Sequence, residues 1–285
     1  MQSMAYLALA VSVFMHAGWN VALGWIRRSH RPVSPTADML LAGSLLFLPL
    51  ALATWHFELY AVPFAAASIL FSTIYFALLE RAYATAPVGE VYPIVRGSSP
   101  VLVVTASAIL GTTIGWTRWL GVAFITAGVA MIALSRARSA APGIVGGRRS
   151  VLWGLTIGCC VASYTMFDGI GVHHAAPMPY LITVMGGSGT VLQIRDLARP
   201  TSTSTLTLRP LPLTIAGGST MLGAFGLTLV AMPQLPIAVV ASVRESSIVA
   251  GALLSRVLLN ERISRQGAFG IASVLTGAIV IVLPA

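Results

Sequence analysis

The sequence contains no lysine. That absence excludes a Walker A phosphate-binding loop, and with it an ATP motor carried by this chain. It also excludes a Schiff base to retinal or pyridoxal phosphate and a lysine general base. Charge of either sign is scarce. There are 17 basic and 8 acidic side chains in 285 residues, or 9%, where an ordinary soluble domain carries roughly 25%. Hydrophobic residues make up 56%, and mean hydropathy is +0.87. A soluble monomer this apolar could not cover its own surface with polar groups. A soluble enzyme, a disordered chain and a nucleic-acid reader are all excluded on that ground. Cysteine is nearly missing as well. Cys159 and Cys160 are neighbours in an apolar run without metal-type spacing, so they read as small packing residues.

What is present is a series of long apolar runs, each near the roughly 20 residues that a helix needs to cross a bilayer. Ten are predicted: Met4–Trp25, Thr36–Thr54, Val62–Thr85, Val88–Leu110, Thr113–Ser135, Val151–Val172, Pro179–Leu197, Pro210–Met232, Ile237–Leu259 and Ser264–Leu283. The first lacks the basic start and cleavage site of a signal peptide, so it is read as a span. The fold class is therefore all-α integral membrane, with the bilayer as one partner. The longest connection, Arg136–Ser150, is rich in Gly, Ala and Arg and divides the chain near its middle.

The pI near 10.6 needs no polyanion partner. Arg27, Arg28 and Arg31 follow span 1. Arg136, Arg138, Arg148 and Arg149 follow span 5. Arg195, Arg199 and Arg209 surround the loop after span 7, and Arg256, Arg262 and Arg265 the loop after span 9. The opposite loops hold essentially only Arg118. By the positive-inside rule the arginine-rich loops are cytoplasmic and both termini face outward.

The two halves resemble each other. Val95-Arg96-Gly97-Ser98-Ser99 matches Val243-Arg244-Glu245-Ser246-Ser247, and Gly121 and Gly128 match Gly270 and Gly277. Glycines seven apart share one helix face, a close-packing face by the small-residue logic of membrane helices. Five spans per half is odd, so the second half enters the bilayer with opposite orientation. The prediction is ten transmembrane helices as two inverted five-helix repeats, residues 1–137 and 151–285 joined by 138–150. This is an architecture of secondary transporters, whose sites lie near the midplane.

Polar groups inside the spans are candidate site residues, because ionisable side chains there are costly. Span 4 holds Tyr92, Pro93, Arg96, Gly97, Ser98, Ser99 and Pro100, and its prolines predict a helix break needing neighbours or a cavity to satisfy freed backbone groups. Arg96 lies near mid-span, and Arg244 lies at the same depth in span 9 beside Glu245 and Ser246. Asp168 is on span 6. Two readings of the arginines stand side by side: structural locks paired with Glu245 and Asp168, or contacts to an anionic or zwitterionic solute. His16, Trp19 and Asn20 share one face of span 1, with Tyr164 near the repeat position of Trp19. That face suits an apolar pocket with a few fixed polar groups, or hydrogen bonds between helices. Tyr75 is a further cavity candidate. Gly154 and Gly158 fit a packing face. His173 and His174 read as interfacial, without a third ligand for a metal.

These segments carry a resemblance. His16-Ala17-Gly18-Trp19-Asn20, Tyr92 to Pro100, Ala162-Ser163-Tyr164-Thr165 with Asp168-Gly169, and Val243 to Ser247 followed by Leu258-Leu259-Asn260-Glu261-Arg262 are similar to the drug/metabolite transporter superfamily, in particular its EamA-type ten-span exporters. The resemblance covers nearly the whole chain. It implies an inner-membrane, multi-pass transporter that moves a small metabolite, amino acid or drug, often outward and without ATP or a cofactor. A proton on Glu245 or Asp168 is the candidate coupling ion, and one five-helix half would rock against the other. The chain is expected to act as a monomer or homodimer, without nucleic acid and without catalysis. Many relatives keep both termini in the cytoplasm, opposite to the arginine count. Span 1 has no acidic residue, so cation/proton antiport by the route of the related small multidrug exporters is not supported. The rivals from other classes are a membrane enzyme acting on a lipid phosphate, for which clustered acids or histidines are lacking, and a non-transporting assembly subunit.

Overall fold

The computed structural model describes the backbone of residues 2–29, 35–85, 88–111, 115–139, 147–198, 211–250 and 264–282. Ten α-helices lie among the described residues. They are α1 (Gln2–Ser29), α2 (Pro35–Ala53), α3 (Val62–Thr85), α4 (Val88–Ile109), α5 (Trp116–Ser139), α6 (Gly147–Gly171), α7 (Pro177–Leu197), α8 (Leu211–Ala231), α9 (Ile237–Glu245) and α10 (Arg265–Val282). A 3₁₀ turn, Leu59–Ala61, precedes α3. The helical form follows from composition and solvent together. In hydrocarbon every backbone N–H and C=O must be satisfied within the segment, and a helix does that alone. Proline marks the starts: Pro177 occupies the first turn of α7 after extended Ala176, and Pro236 caps α9, positions where a missing N–H costs nothing.

Among the described residues, four helical stretches are long and apolar enough to cross a membrane by length and composition: Thr36–Ala53, Leu59–Ala82, Val151–Gly171 and Pro212–Ala231. Val95–Ile109 and Trp119–Ile132 are shorter apolar stretches. Large apolar side chains such as Leu45, Leu70, Ile109 and Phe269 stand exposed along the helices, as lipid-facing residues do.

The chain forms two compact units. The first comprises 1–77 and 167–234, and the second 78–166 and 235–285. These units do not coincide with the two sequence halves, since each takes segments from both. In the first unit α1 packs on α8, and α2 packs on α7 and α8. Gly43 makes the α2–α8 approach close, because a Cβ there would sit 2.6 Å from the Gly218 carbonyl oxygen. In the second unit α5 packs on α10, and α4 packs on α5 and α9. Val103, Ala162 and Ala241 form a small apolar core joining α4, α6 and α9.

The α5–α10 contact is also close. A Cβ on Gly128 would lie 2.6 Å from the Gly270 carbonyl oxygen, and one on Gly277 would lie 2.5 Å from that of Gly121. Gly121 meets Gly277 and Gly128 meets Gly270, so the order reverses along the pair and the two helices run antiparallel.

Candidate functional site

In the second unit, α4 and α9 bring the repeat-related arginine segments together. Arg96 Nη1 donates to Glu245 Oε2 at 2.8 Å. Arg244 Nη2 reaches the other carboxylate oxygen, Oε1, at 3.4 Å. The same guanidinium donates to the Thr165 hydroxyl at 3.3 Å and lies over the Tyr164 ring, 5.7 Å from its centroid. Arg96 is 8% exposed, Arg244 2% and Glu245 1%. One carboxylate thus stands between two buried guanidiniums. The Arg96–Glu245 pair is present, and it joins the two halves of the sequence within one unit.

The backbone around this cluster departs from expectation in two places. Despite Pro93 and Pro100, α4 is unbroken from Val88 to Ile109. A proline removes only one helical hydrogen bond, and a neighbouring group can offset the loss. Ser98 Oγ also donates to the Val95 carbonyl at 3.3 Å. The interruption falls instead in the segment expected to be a continuous span 9. There α9 ends at Glu245, and Ser246 turns with φ −60° and ψ −13°. The Ser246 N–H bonds the Val243 carbonyl at 3.0 Å and the Val249 N–H bonds that of Ser246 at 2.9 Å. These are i→i−3 bonds, tighter than the α-helical pattern. Helical backbone resumes at 247–250.

Three hydroxyls beside the ionic cluster, Ser99, Ser246 and Ser247, are buried and make no hydrogen bond within the protein. Gly158 of α6 lies directly against Ser98, so that glycine's packing role includes the span 4 motif.

The remaining candidates fall in the first unit. His16 is buried, and its Nδ1 lies 3.2 Å from the Ser12 carbonyl of its own helix, a bond that requires the proton on Nδ1. Ser12 Oγ donates to the Ala224 carbonyl at 2.7 Å and lies 3.0 Å from Thr228 Oγ1, tying α1 to α8. The imidazole packs on Phe225 and Trp19, with ring centroids 5.1 and 6.4 Å away. Trp19 is 2% exposed, and its indole N–H makes no hydrogen bond within the protein. Asp168 is buried and accepts a hydrogen bond from Ser68 of α3. The Tyr180 hydroxyl also interacts with both. Tyr75 is buried against Phe76, 4.7 Å between ring centroids. The side chains of Asn20 and Tyr92 lie outside the described residues.

Sequence reasoning thus missed Ser12, Thr228, Ser68, Thr165 and Tyr180 as partners of the polar groups it chose. Thr165 sits inside a quoted motif and could have been found there. A hydroxyl in an apolar helix, such as Ser68, carries no such signal.

One polar cluster lies outside the spans. Between α2 and α3, Glu58 accepts from His174 Nδ1 at 3.0 Å and lies 3.4 Å from His56 Nε2. Backbone bonds from Glu58 N to the His174 carbonyl and from Ala176 N to the His56 carbonyl fasten the two loops. The His174 hydrogen bond holds the Glu58 carboxyl below its ordinary range. Among the described residues, no group of three or more His, Cys, Asp or Glu side chains is placed to hold a metal ion.

Comparison with known proteins identifies the architecture. The model of the EamA-like transporter family matches residues 3–134 and again 148–283. The chain belongs to the EamA-like transporter family. It is a multi-pass membrane protein of a family of small-molecule transporters, not enzymes. A solved structure described only as the crystal structure of a protein matches with a TM-score of 0.80 at 17% identity, covering 99% of this chain and 97% of the other. At that identity the match establishes the shared fold. No curated protein sequence matches the chain.

Proposed function

We propose that this family member is a secondary transporter that exports a small metabolite, amino acid or drug across the cell's inner membrane by alternating access. Ten spans form two inverted five-helix repeats, 1–137 and 151–285, with 138–150 as the linker. The observation that carries this reading is the reciprocity of the α5–α10 contact. If Gly121 is equivalent to Gly270 and Gly128 to Gly277, exchanging the repeats turns the Gly121–Gly277 contact into the Gly270–Gly128 contact. Both are present. Such an exchange is a two-fold operation, and for antiparallel helices its axis runs across them. That supports repeats of opposite orientation, the arrangement that gives alternating access its two related states.

The moving bodies in this reading are the two compact units rather than the two sequence halves. The candidate site residues are His16, Trp19, Asn20, Tyr75 and Asp168 in the first unit, and Tyr92, Arg96, Ser98, Ser99, Tyr164, Arg244, Glu245 and Ser246 in the second. Glu245 or Asp168 carries the coupling proton. The test is flux into liposomes holding the purified protein, with and without a pH gradient and with no nucleotide. Solute movement that responds to the gradient is expected. Flux that requires ATP, or ligand binding without flux, overturns the proposal. A reporter fused after Ala285 that is active on only one side fixes the orientation, with the outer side expected from the arginine distribution.

A further inference from the structure

Asp168 stands about one turn before the end of α6 at Gly171, and it is buried. The hydroxyls of Ser68 on α3 and Tyr180 on α7 both stand on it. A hydroxyl donates and accepts, so it serves a carboxylate and, turned round, a carboxylic acid. Guanidiniums only donate, so those on Glu245 hold it as the anion. Gly171 admits Tyr180, since a Cβ there would collide with the hydroxyl end of the ring. The same ring stacks on Phe57, with centroids 6.3 Å apart. Phe57 lies between His56 and Glu58 in the chain. Tyr180 therefore links the buried acid to the segment that carries the loop cluster, all within one unit.

The loops of that cluster are fastened by backbone. Glu58 N–H bonds the His174 carbonyl at 3.0 Å, Ala176 N–H bonds the His56 carbonyl at 2.8 Å, and Phe57 pairs with Ala175 between them. The fastening does not require an acid and two histidines. Yet Glu58 Oε2 meets His174 Nδ1 at 3.0 Å and Oε1 meets His56 Nε2 at 3.4 Å, with all three side chains reaching the surface. A carboxylate between two imidazoles holds and passes protons near neutral pH, where histidine changes charge. His174 follows Asp168 by six residues. The Val172–Asp168 and His174–Gly171 backbone bonds keep that stretch coiled, so the rise between them is about 9 Å. Tyr60, whose ring meets His174 edge-on at 4.6 Å, and exposed His173 are the other titratable groups at this end of the unit among the described residues.

We propose that His56, Glu58 and His174 form a proton-collecting site, and that Asp168 is the acid it loads. An imidazolium of the cluster gives up one proton and becomes neutral, the Asp168 carboxylate becomes a carboxylic acid, and solvent restores the imidazolium. Release runs the same way in reverse. Ser68 and Tyr180 hold Asp168 in either state. The cluster supplies a route, so it sets how fast Asp168 is loaded and not the pH at which it is half loaded. The inference rests on the transporter reading and selects which of its two candidate acids exchanges the proton.

The experiment follows the infrared C=O stretch of protonated carboxyl groups in the full-length protein in liposomes, after a pH jump in dilute buffer free of imidazole. A band that rises on acidification and is lost in Asp168→Asn is expected. Carbon-13 labelling of the aspartate carboxyls, of which the chain has three, shifts the same band in the unmutated protein and makes the assignment independent of how that variant folds. The double change His56→Gln with His174→Gln leaves the backbone fastening in place. It should slow loading about 100-fold, the lower end of what a positioned proton donor contributes, with the pH of half-loading unmoved. Imidazole added to the buffer should restore the rate, which repair of a merely structural defect would not do. A band that survives Asp168→Asn or ignores the aspartate label overturns the proposal. So does an unchanged loading rate in the double variant, or a slow rate that imidazole leaves slow. Liposome flux separates the two readings. Gradient-driven flux with loading indifferent to the histidines sinks this inference and leaves transport standing. Histidine-dependent loading with no solute flux upholds the site and counts against transport.

Discussion

Neutralising the three charged groups one at a time should give an order that only this geometry predicts. Glu245 serves two guanidiniums, at 2.8 Å from Arg96 and 3.4 Å from Arg244, and all three are buried. Removing one partner of a buried pair costs about 3–5 kcal/mol, because the other charge is left without compensation. Glu245→Gln strips the carboxylate from two guanidiniums at once and should cost the most, about 5 kcal/mol or more. Arg96→Gln leaves Glu245 with the longer Arg244 contact, so the lower end, about 3 kcal/mol, is expected. Arg244→Gln leaves the 2.8 Å pair intact. Its losses are the 3.4 Å contact to Glu245, the hydrogen bond to Thr165 and the ring of Tyr164, about 2 kcal/mol in sum. The double change Arg96→Gln with Glu245→Gln removes both members of the short pair, so its cost should fall below the sum of the singles by about 2 kcal/mol. The assay is unfolding of detergent-solubilised protein followed by tryptophan fluorescence, with each variant's flux measured in parallel. An additive double variant would refute the reasoning, as would Arg244→Gln proving more damaging than Glu245→Gln.

The remaining predictions concern packing, the loop cluster and the second acid. Gly128→Ala forces a Cβ against backbone atoms of α10 and should cost about 1–3 kcal/mol. Gly97→Ala meets nothing within 4 Å and should be neutral or stabilising by up to roughly 1 kcal/mol, the helix preference of alanine; equal melting shifts for the two variants would contradict the packing account. The lowered pKa of Glu58 means that its contribution is full above the ordinary carboxylate range and is lost as pH falls through the lowered value. His174→Gln should therefore move the Glu58 titration upward in infrared or NMR measurements, and an unmoved midpoint would show that the hydrogen bond is not the cause. Asp168→Asn keeps an oxygen to accept from Ser68, so melting should shift by less than about 1 kcal/mol equivalent, while the pH dependence of flux disappears if Asp168 carries the proton.

How much of this was legible in the sequence depends on whether a feature has a local cause. The helices were legible, because apolar runs of bilayer length have one economical backbone solution. The Arg96–Glu245 pair was legible by scarcity: with so few acids inside the spans, a mid-span arginine had few partners to find. The interruption at Ser246 was not. Proline drew attention to span 4, yet α4 continues through it, and the turn follows Glu245, whose partner Arg96 is 149 residues away in sequence. Contacts such as Ser12 with Thr228 and Ser68 with Asp168 were hidden for a related reason, since a serine in a membrane helix looks the same whether it faces a partner or its own backbone carbonyl. The glycine faces of α5 and α10 show the boundary most clearly. The repeat marked both faces as close-packing but did not name their partners. The pairing follows once the repeats are allowed to be related by a two-fold axis. A face that permits close backbone approach is best complemented by another such face, and a two-fold axis presents each copy with its own mate in reverse order. Gly121 meets Gly277 and Gly128 meets Gly270, which is the order such an axis would give.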